Sequence, residues 1–531
     1  MTSITRTFGA ALFLGAMLLF LLEPAFGRLV LPRLGGAPAV WNTCLVFFQL
    51  TLLAGYLYAW ASARWLGARA QVGLHAVLAV AALSVLPIRI LPGWAPPADS
   101  TPIPWLLGVL GASIGLPFLV VSTTAPVLQH WFSRTDHPDA DDPYFLYQAS
   151  NLGSMAGLIA YPLAVEPYLG LRAQGLAWSV GYVLFVGLVA VCALWAARRP
   201  RPAAGRAEPA APATRAGRTG RASRPSQTPA AAVPAPVAAP GWRQLAWWVL
   251  LAAVPSSLLL GVTTTLSTDV AVVPLLWVFP LLLYLATFVV AFARTPRIGL
   301  KAATIAHPLI VLPAVVVIAL EANEPPWFIL PLHLAAFTVM ALVCHLRLAE
   351  ERPHADHLTL FYLCLSIGGA VGGLFNALVA PVVFTVPFEY PLAIIAASLV
   401  KPYRDVSADR ARFHGLDVLG PVVLGAVVIV LVIAGRSISE NFIRVEWLLV
   451  IGLPAFVCFT FSARPVRFGL VVAILLLTGL LHAGTFGRAS DIERSFFGVH
   501  KVFTDTAANL RLLFHGNTMH GVQSQIGRAH V

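Results

Sequence analysis

The chain is 531 residues long, 58% hydrophobic and only 11% charged, with a net charge of +12. Soluble domains carry about 25% charged residues, so this composition excludes an ordinary soluble protein and points to a chain made mostly of membrane spans. The positive charge is not a nucleic-acid signal: eight arginines and one acid crowd into residues 198–224, with no aromatic side chain among them for base stacking.

Apolar runs of 18 or more residues read as transmembrane helices, because about 20 residues cross a ~30 Å hydrocarbon core. Six runs fill the first third of the chain, at 8–31, 41–60, 71–91, 104–124, 144–164 and 174–196. The first is a span and not a removable signal peptide, since Glu23-Pro24 follows the apolar stretch where a small-residue cleavage site would stand. Residues 198–242 are rich in Ala, Pro, Arg and Gly and cannot bury a core, which predicts a disordered basic linker. Positive charge collects on the cytoplasmic side, so the N-terminus and this linker are both expected in the cytoplasm.

Six further runs follow at 244–264, 272–292, 302–320, 327–347, 358–383 and 386–400, the last short enough to be re-entrant. A basic loop with Lys401, Arg404, Arg410 and Arg412 leads to three more runs at 416–435, 446–462 and 467–484. Fifteen crossings would place residue 493 outside the cytoplasm. The expectation is therefore that the 386–400 run or one late segment fails to cross. Beyond residue 486 the pattern changes to strand-like alternation, as in Leu510-Arg511-Leu512-Leu513-Phe514-His515.

The two halves repeat. A shift of 215 residues carries Pro138, Ala140, Asp141, Tyr147, Gly153 and Gly157 onto Pro353, Ala355, Asp356, Tyr362, Gly368 and Gly372 without a gap. Two six-span halves joined by a basic loop make a transporter-like plan. The glycines have a packing reason of their own, since small residues let helix backbones approach in a membrane.

Charged residues inside a span usually face the protein interior and have a partner. Glu23 is the clearest such residue, with Arg28, Asn42 or Asn151 as a structural partner or a solute as a ligand. Asp269 follows a hydroxyl-rich stretch, Thr263-Thr264-Thr265-Leu266-Ser267-Thr268, and either ends a span in water or lines a cation path. Asn42, Gln49 and Asn151 lie in or near spans, where hydrogen bonds between helices explain them. Glu166 and Glu389 hold edge positions in the two halves. The histidines at 333, 345, 354 and 357 invite a metal reading, with His354 and His357 able to share one helical face; the favoured reading is a helix entry capped by Asp356. The five cysteines lie in apolar runs with no CxxC pair, so neither a zinc site nor disulfides are indicated.

Several stretches together carry a resemblance. Leu22-Glu23-Pro24-Ala25-Phe26-Gly27, Leu34-Gly35-Gly36-Ala37-Pro38-Ala39-Val40-Trp41-Asn42-Thr43, Asp142-Pro143-Tyr144-Phe145-Leu146-Tyr147 and Ser150-Asn151-Leu152-Gly153-Ser154 are four of them. With Asp269-Val270-Ala271-Val272-Val273-Pro274 and Phe496-Phe497-Gly498 to Gln523, they resemble the bacterial multi-pass proteins known as membrane-bound, or fused major-facilitator, spermidine synthases. The resemblance implies a soluble domain after the spans: a small β-domain, then a Rossmann-like fold that binds decarboxylated S-adenosylmethionine. It implies that Gln523 lies near the entry of the nucleotide substrate. The glycine-rich cofactor loop and acidic catalytic residues of that family belong downstream of Gln523 and are not in this sequence. Residues 525–531 read as a short-read sequencing adapter translated in frame, so the parent reading frame is expected to run on.

The sequence thus predicts an all-α polytopic protein of the bacterial inner membrane. Its parts are a first membrane half (1–197), the linker (198–242), a second half (243–400), additional spans (401–485), the start of a spermidine-synthase-like β-domain (486–524) and the adapter-like tail (525–531). Within these limits it carries no catalytic residue, metal ligand or cofactor cradle. The expected role is the membrane part of an aminopropyltransferase-like protein of polyamine synthesis. The alternatives are a transporter of a polyamine or other small solute, or a structural anchor. The substrate-contact candidates are Glu23, Asn42, Asn151, Asp269 and Gln523, and the partners are the lipid bilayer and that solute.

Overall fold

Inside a bilayer a backbone N–H or C=O has no water to bond, so a spanning segment satisfies its own polar groups as a helix. Each of the fifteen apolar runs contains one. The computed structural model describes residues 3–90, 93–97, 101–141, 143, 145–198, 239–270, 276–293, 296–353, 357–403, 415–435, 452–481, 489–505, 508–516 and 518–524. The linker over 199–238, the basic loop over 404–414, residues 354–356 and the tail over 525–531 lie outside the described residues.

The first half comprises α1 (Ser3–Leu34), α2 (Pro38–Trp65), α3 (Ala68–Ala81), α4 (Ile103–Phe132), α5 (Phe145–Ala160) and α6 (Leu171–Arg198). The second comprises α7 (Trp242–Thr265), α8 (Val278–Ala291), α9 (Leu300–Ala319), α10 (Pro326–Glu350), α11 (Leu358–Leu374) and α12 (Glu389–Val400). Three additional helices follow, α13 (Leu416–Gly435), α14 (Leu453–Thr460) and α15 (Pro465–Leu481). Among the described residues, eight helices are by themselves long and apolar enough to cross a bilayer. The third run ends earlier than its apolar character, which continues to 91. Its helix gives way to a 3-10 turn over Ala82–Val85, because Pro87 disfavours helical backbone in the residue before it.

The repeat seen in the sequence is a repeat in packing. Gly153 and Gly157 of α5 lie against the backbone of α1: a Cβ on either would come within 2.1 Å of the Phe13 carbonyl oxygen or 2.6 Å of that of Met17. Gly368 and Gly372 of α11 do the same to α7, at 2.4 Å from the Val249 oxygen and 2.5 Å from that of Ala253. Across the middle, α2 packs on α11 and α8 on α5, two contacts that exchanging the halves interconverts. A five-residue π-helix prolongs α5 at Tyr161–Val165 and α11 at Phe375–Val379, again at matching places. Outward faces are apolar, as with the exposed Leu176, Val180, Val183 and Leu184 of α6, a surface suited to lipid tails. The last helices pack on one edge of the second half, α15 touching α9, α12 and α13.

The chain then forms a four-stranded antiparallel meander: β1 (Asp491–Ser495), β2 (Gly498–Asp505), β3 (Leu510–His515) and β4 (Thr518–Ser524), in that order. Leu512 and Phe514 are buried and alternate with exposed Arg511 and Leu513, the period of a half-buried strand. Gly498 takes φ +148°, and the His515 ring lies over it where a Cβ would stand 2.0 Å from Nε2.

Two expectations follow. Gly157→Ala and Gly372→Ala force the paired backbones apart and should each destabilise the protein by about 1–3 kcal/mol, read as a lower thermal midpoint in detergent. Gly369→Ala, whose Cβ would meet nothing within 4 Å, should be nearly neutral. In the sheet, burial first and the neighbouring His500 next hold the His515 imidazole below its ordinary value of 6.5; a hydrogen bond with the Phe497 backbone opposes them, and His520 adds a smaller downward push. Such a group binds fewer protons folded than unfolded, so its stabilisation is complete above that ordinary value and is lost as pH falls below it. Hydrogen-exchange protection of Leu512 and Phe514 should therefore drop between pH 7.5 and 5.5, and His515→Gln should remove that dependence.

Candidate functional site

The seam between the two halves carries a polar stripe on α2. Asn42, Gln49 and Tyr56 recur at seven-residue intervals, which on a helix puts them on one face, each about 10 Å from the next. All three face the second half. Asn42 donates from Nδ2 to Thr264 Oγ1 of α7 at 3.1 Å. Gln49 donates from Nε2 to Ser256 Oγ at 3.1 Å, and Ser256 donates onward to the Gly369 carbonyl of α11 at 2.9 Å. Tyr56 meets the ring of Tyr362 edge-on with centroids 6.4 Å apart, and Tyr147 of α5 stacks on the same ring at 5.7 Å. At the other end of the stripe Trp41 stacks on Trp277, 3.5 Å between centroids.

These bonds leave a set of oxygens over. Glu23 Oε2, Asn42 Oδ1, Gln49 Oε1 and Asn376 Oδ1 are buried without a hydrogen-bond partner among the described residues. Asn376 sits in the π-helix after α11 and spends its amide donors on Ser257 Oγ at 2.7 Å and the Gly372 carbonyl at 2.8 Å. Gln49 Oε1 lies against Gly373, where a Cβ would come within 1.8 Å of it. Buried polar groups are normally paired, and each exception calls for an explanation. All four are acceptors, and one belongs to a carboxyl group.

Glu23 is 5% exposed, in α1 beside Pro24. It lies within electrostatic reach of the Cys44 thiol on α2, and one turn further on Gly27 abuts the Trp41 ring. Arg28 is not its partner. Arg28 forms an ion pair with Glu166 at the end of the π-helix after α5. Five residues along a helix rotate a side chain by about 140°, which turns Arg28 away from the face Glu23 occupies.

The other sequence candidates separate. Asn151 is half-buried on α5. The helices α1 and α5 run parallel, with Gly153 level with Phe13, so Asn151 stands about twelve residues, or roughly 18 Å, from the level of Glu23. It is not the partner the sequence suggested. Asp269 lies in the π-helix Leu266–Val270 that prolongs α7; its side chain is outside the described residues. Gln523 is exposed on the edge strand β4, paired with Arg511. Sequence reasoning explained Gln49 by hydrogen bonding, which holds, but missed that Asn42, Gln49 and Tyr56 form one stripe; their seven-residue spacing was the signal. Among the described residues no cluster of His, Cys, Asp and Glu is placed to hold a metal.

No family model matches the chain, and no curated protein matches it. Among solved structures, the chain is similar to several transporters. A D-xylose-proton symporter is 13% identical, over 74% of this chain and 96% of the symporter, with a TM-score of 0.42. The nucleoside transporter NupG is 13% identical, over 75% and 96%, at 0.41. A bacterial homolog of the human lysosomal transporter Spinster, in an inward-facing and unoccupied conformation, is 13% identical, over 90% and 98%, at 0.42.

Hydrogen bonds between membrane helices average about 0.6 kcal/mol in double-mutant cycles. Asn42→Ala and Thr264→Ala should couple by about that amount in unfolding measurements, whereas Asn42→Ala and Ser256→Ala, which do not bond to each other, should be additive.

Proposed function

We propose that the membrane bundle binds a small, donor-rich solute between its two halves and moves it across the bilayer, with Glu23 as the charged contact. The single observation that carries this is the set of buried, unpartnered acceptors: Asn42 Oδ1, Gln49 Oε1 and Asn376 Oδ1 at the seam, and Glu23 Oε2 on α1 beside α2. An ammonium group offers three donors and no acceptor, which is the complement of such a set. A chain of amines has the further property of meeting acceptors spaced along a line, as Asn42 and Gln49 are on α2. A polyamine or a comparable organic cation is therefore the solute class we favour.

The test is equilibrium binding of radiolabelled spermidine and putrescine to the purified full chain, followed by uptake into proteoliposomes. Glu23→Gln keeps the shape and removes the charge. It should weaken binding at least ~30-fold, the equivalent of about 2 kcal/mol for losing one side of a buried charge contact, while the thermal midpoint stays near that of the wild type. Undiminished binding by Glu23→Gln would sink the proposal. A collapse of stability together with binding would assign Glu23 to packing beside Pro24.

A second reading keeps the resemblance to membrane-bound spermidine synthases. The observation in its favour is the sheet over 491–524, which folds where that resemblance expects a small β-domain. On that reading the bundle is the membrane part of a longer aminopropyl-transfer protein, and decarboxylated S-adenosylmethionine would bind to a domain that follows. The division into two halves, linker, additional spans and β-domain belongs to the same proposal.

A further inference from the structure

The helix ends can be sorted by their contacts, and the sorting decides where the sheet lies. Start from the linker, which leaves α6 at Arg198 and enters α7 at Trp242. Trp247, in the first turns of α7, donates from Nε1 to Glu351 at 3.2 Å, so the C-terminus of α10 is at the linker end. Arg347 of α10 donates to the Val400 carbonyl, so α12 also ends there. The start of α12 is then at the far end, which Gly261 near the finish of α7 confirms by abutting Tyr390. A separate route through α15 agrees. Its Gly469 packs on Leu399 at the linker end, and its Gly479 packs on Ala319, where α9 reaches the far end.

The sheet joins the bundle at that far end. Arg494 of β1 reaches Glu389 at the start of α12, with Nη2 to Oε1 at 2.7 Å and Nη1 to Oε2 at 3.3 Å. It also donates to the Val386 carbonyl at 3.2 Å and, more weakly, to that of Phe384 at 3.4 Å. Both side chains are nearly sealed, 10% and 4% exposed.

The two halves treat their edge acids differently. In the first half the edge acid Glu166 takes its cation from within the half, Arg28 of α1. The paired glycines set Phe13 and Met17 equivalent to Val249 and Ala253, 236 residues later. The same shift carries Arg28 onto Thr264, which has no charge. The 215-residue shift carries Glu166 onto Pro381, so the second half has neither member of this pair, and its own edge acid, Glu389 at the start of α12, takes its cation from the sheet. A buried carboxylate left without its partner is strongly unfavourable, so the sheet completes the second half.

We infer that the sheet lies on the exocytoplasmic face of the membrane, opposite the arginine-rich linker, and is clamped to the bundle by Arg494 as the cation that Glu389 requires. The side follows from charge: eight arginines against one acid in residues 198–224 keep the linker end in the cytoplasm. Because α15 runs from the linker end to the far end, the strands that follow it emerge outside. The expectation that one late segment fails to cross is thereby replaced. Any solute that the sheet meets is met outside the cytoplasm. This inference is independent of what the seam binds.

Impermeant maleimide labelling of intact spheroplasts tests the side. The five native cysteines are all buried, so the wild-type chain is the blank. Met519→Cys, on an exposed position of β4, should label in intact spheroplasts, and Ala210→Cys should label only after permeabilisation. Labelling of Met519→Cys only after permeabilisation, or of both sites from one side, would overturn the assignment. Limited proteolysis of the full chain tests the clamp. Arg494→Glu should make the strands cleavable, and the swap Arg494→Glu with Glu389→Arg should restore resistance. Wild-type resistance of Arg494→Glu, or no rescue by the swap, would refute the clamp.

Discussion

Lipid tails are as apolar as leucine, so helices in a bilayer gain little from hiding apolar surface from one another and are held by closeness of fit. Everything in this protein hangs on two such fits. Gly153 and Gly157 bring α5 onto the backbone of α1, and Gly368 and Gly372 bring α11 onto α7. The helix that each glycine pair positions, α5 or α11, also supplies one side of the seam. Because α11 lies so close to α7, Ser256 reaches the Gly369 carbonyl and Asn376 reaches Ser257. The polar arrangement at the seam is a by-product of backbone contact deep within each half.

The same constraint separates satisfied from unsatisfied polar groups. Most hydroxyls in the spans turn back on their own helix, as Thr43 does to Ala39 and Thr263 to Leu259. Amide side chains on α2 reach across instead, and each has an oxygen to spare. Charged groups are matched at the bundle ends, where Arg464 and Arg467 converge on Asp417 and Arg28 meets Glu166. Glu23 is the contrast: deep, beside a proline, and with one oxygen unbonded.

Much of this was legible in the sequence. Spans follow from apolar length, and the 215-residue repeat follows from a few fixed residues, because both are set locally along the chain. The strand alternation over 510–515 foretold β3 for the same reason. What the sequence did not yield was partnership. Arg28 stands five residues from Glu23 in the chain yet belongs to Glu166, because helix rotation outweighs proximity. Glu389 finds its cation 105 residues on, beyond any periodicity. The seam stripe was within reach at a seven-residue spacing, but an amide in a span reads equally well as glue, and only the unpaired oxygens tell the two apart.

The glycine contacts also have a mechanical meaning. Each half is a stiff block, since its backbones touch and cannot slide without a clash. The seam is compliant by comparison. Among the described residues two hydrogen bonds are seen to cross it, Asn42 to Thr264 and Gln49 to Ser256, at about 0.6 kcal/mol each. Three aromatic contacts cross it as well, between Trp41 and Trp277, Tyr56 and Tyr362, and Tyr147 and Tyr362, at about 1 kcal/mol each. The directional contacts of the seam are thus worth about 4 kcal/mol. Tilting a two-state balance from one extreme to the other takes about 5.5 kcal/mol of differential binding. On the proposal that the seam binds a solute, differential binding of that size would act on the joint between the blocks, and the blocks themselves need not bend.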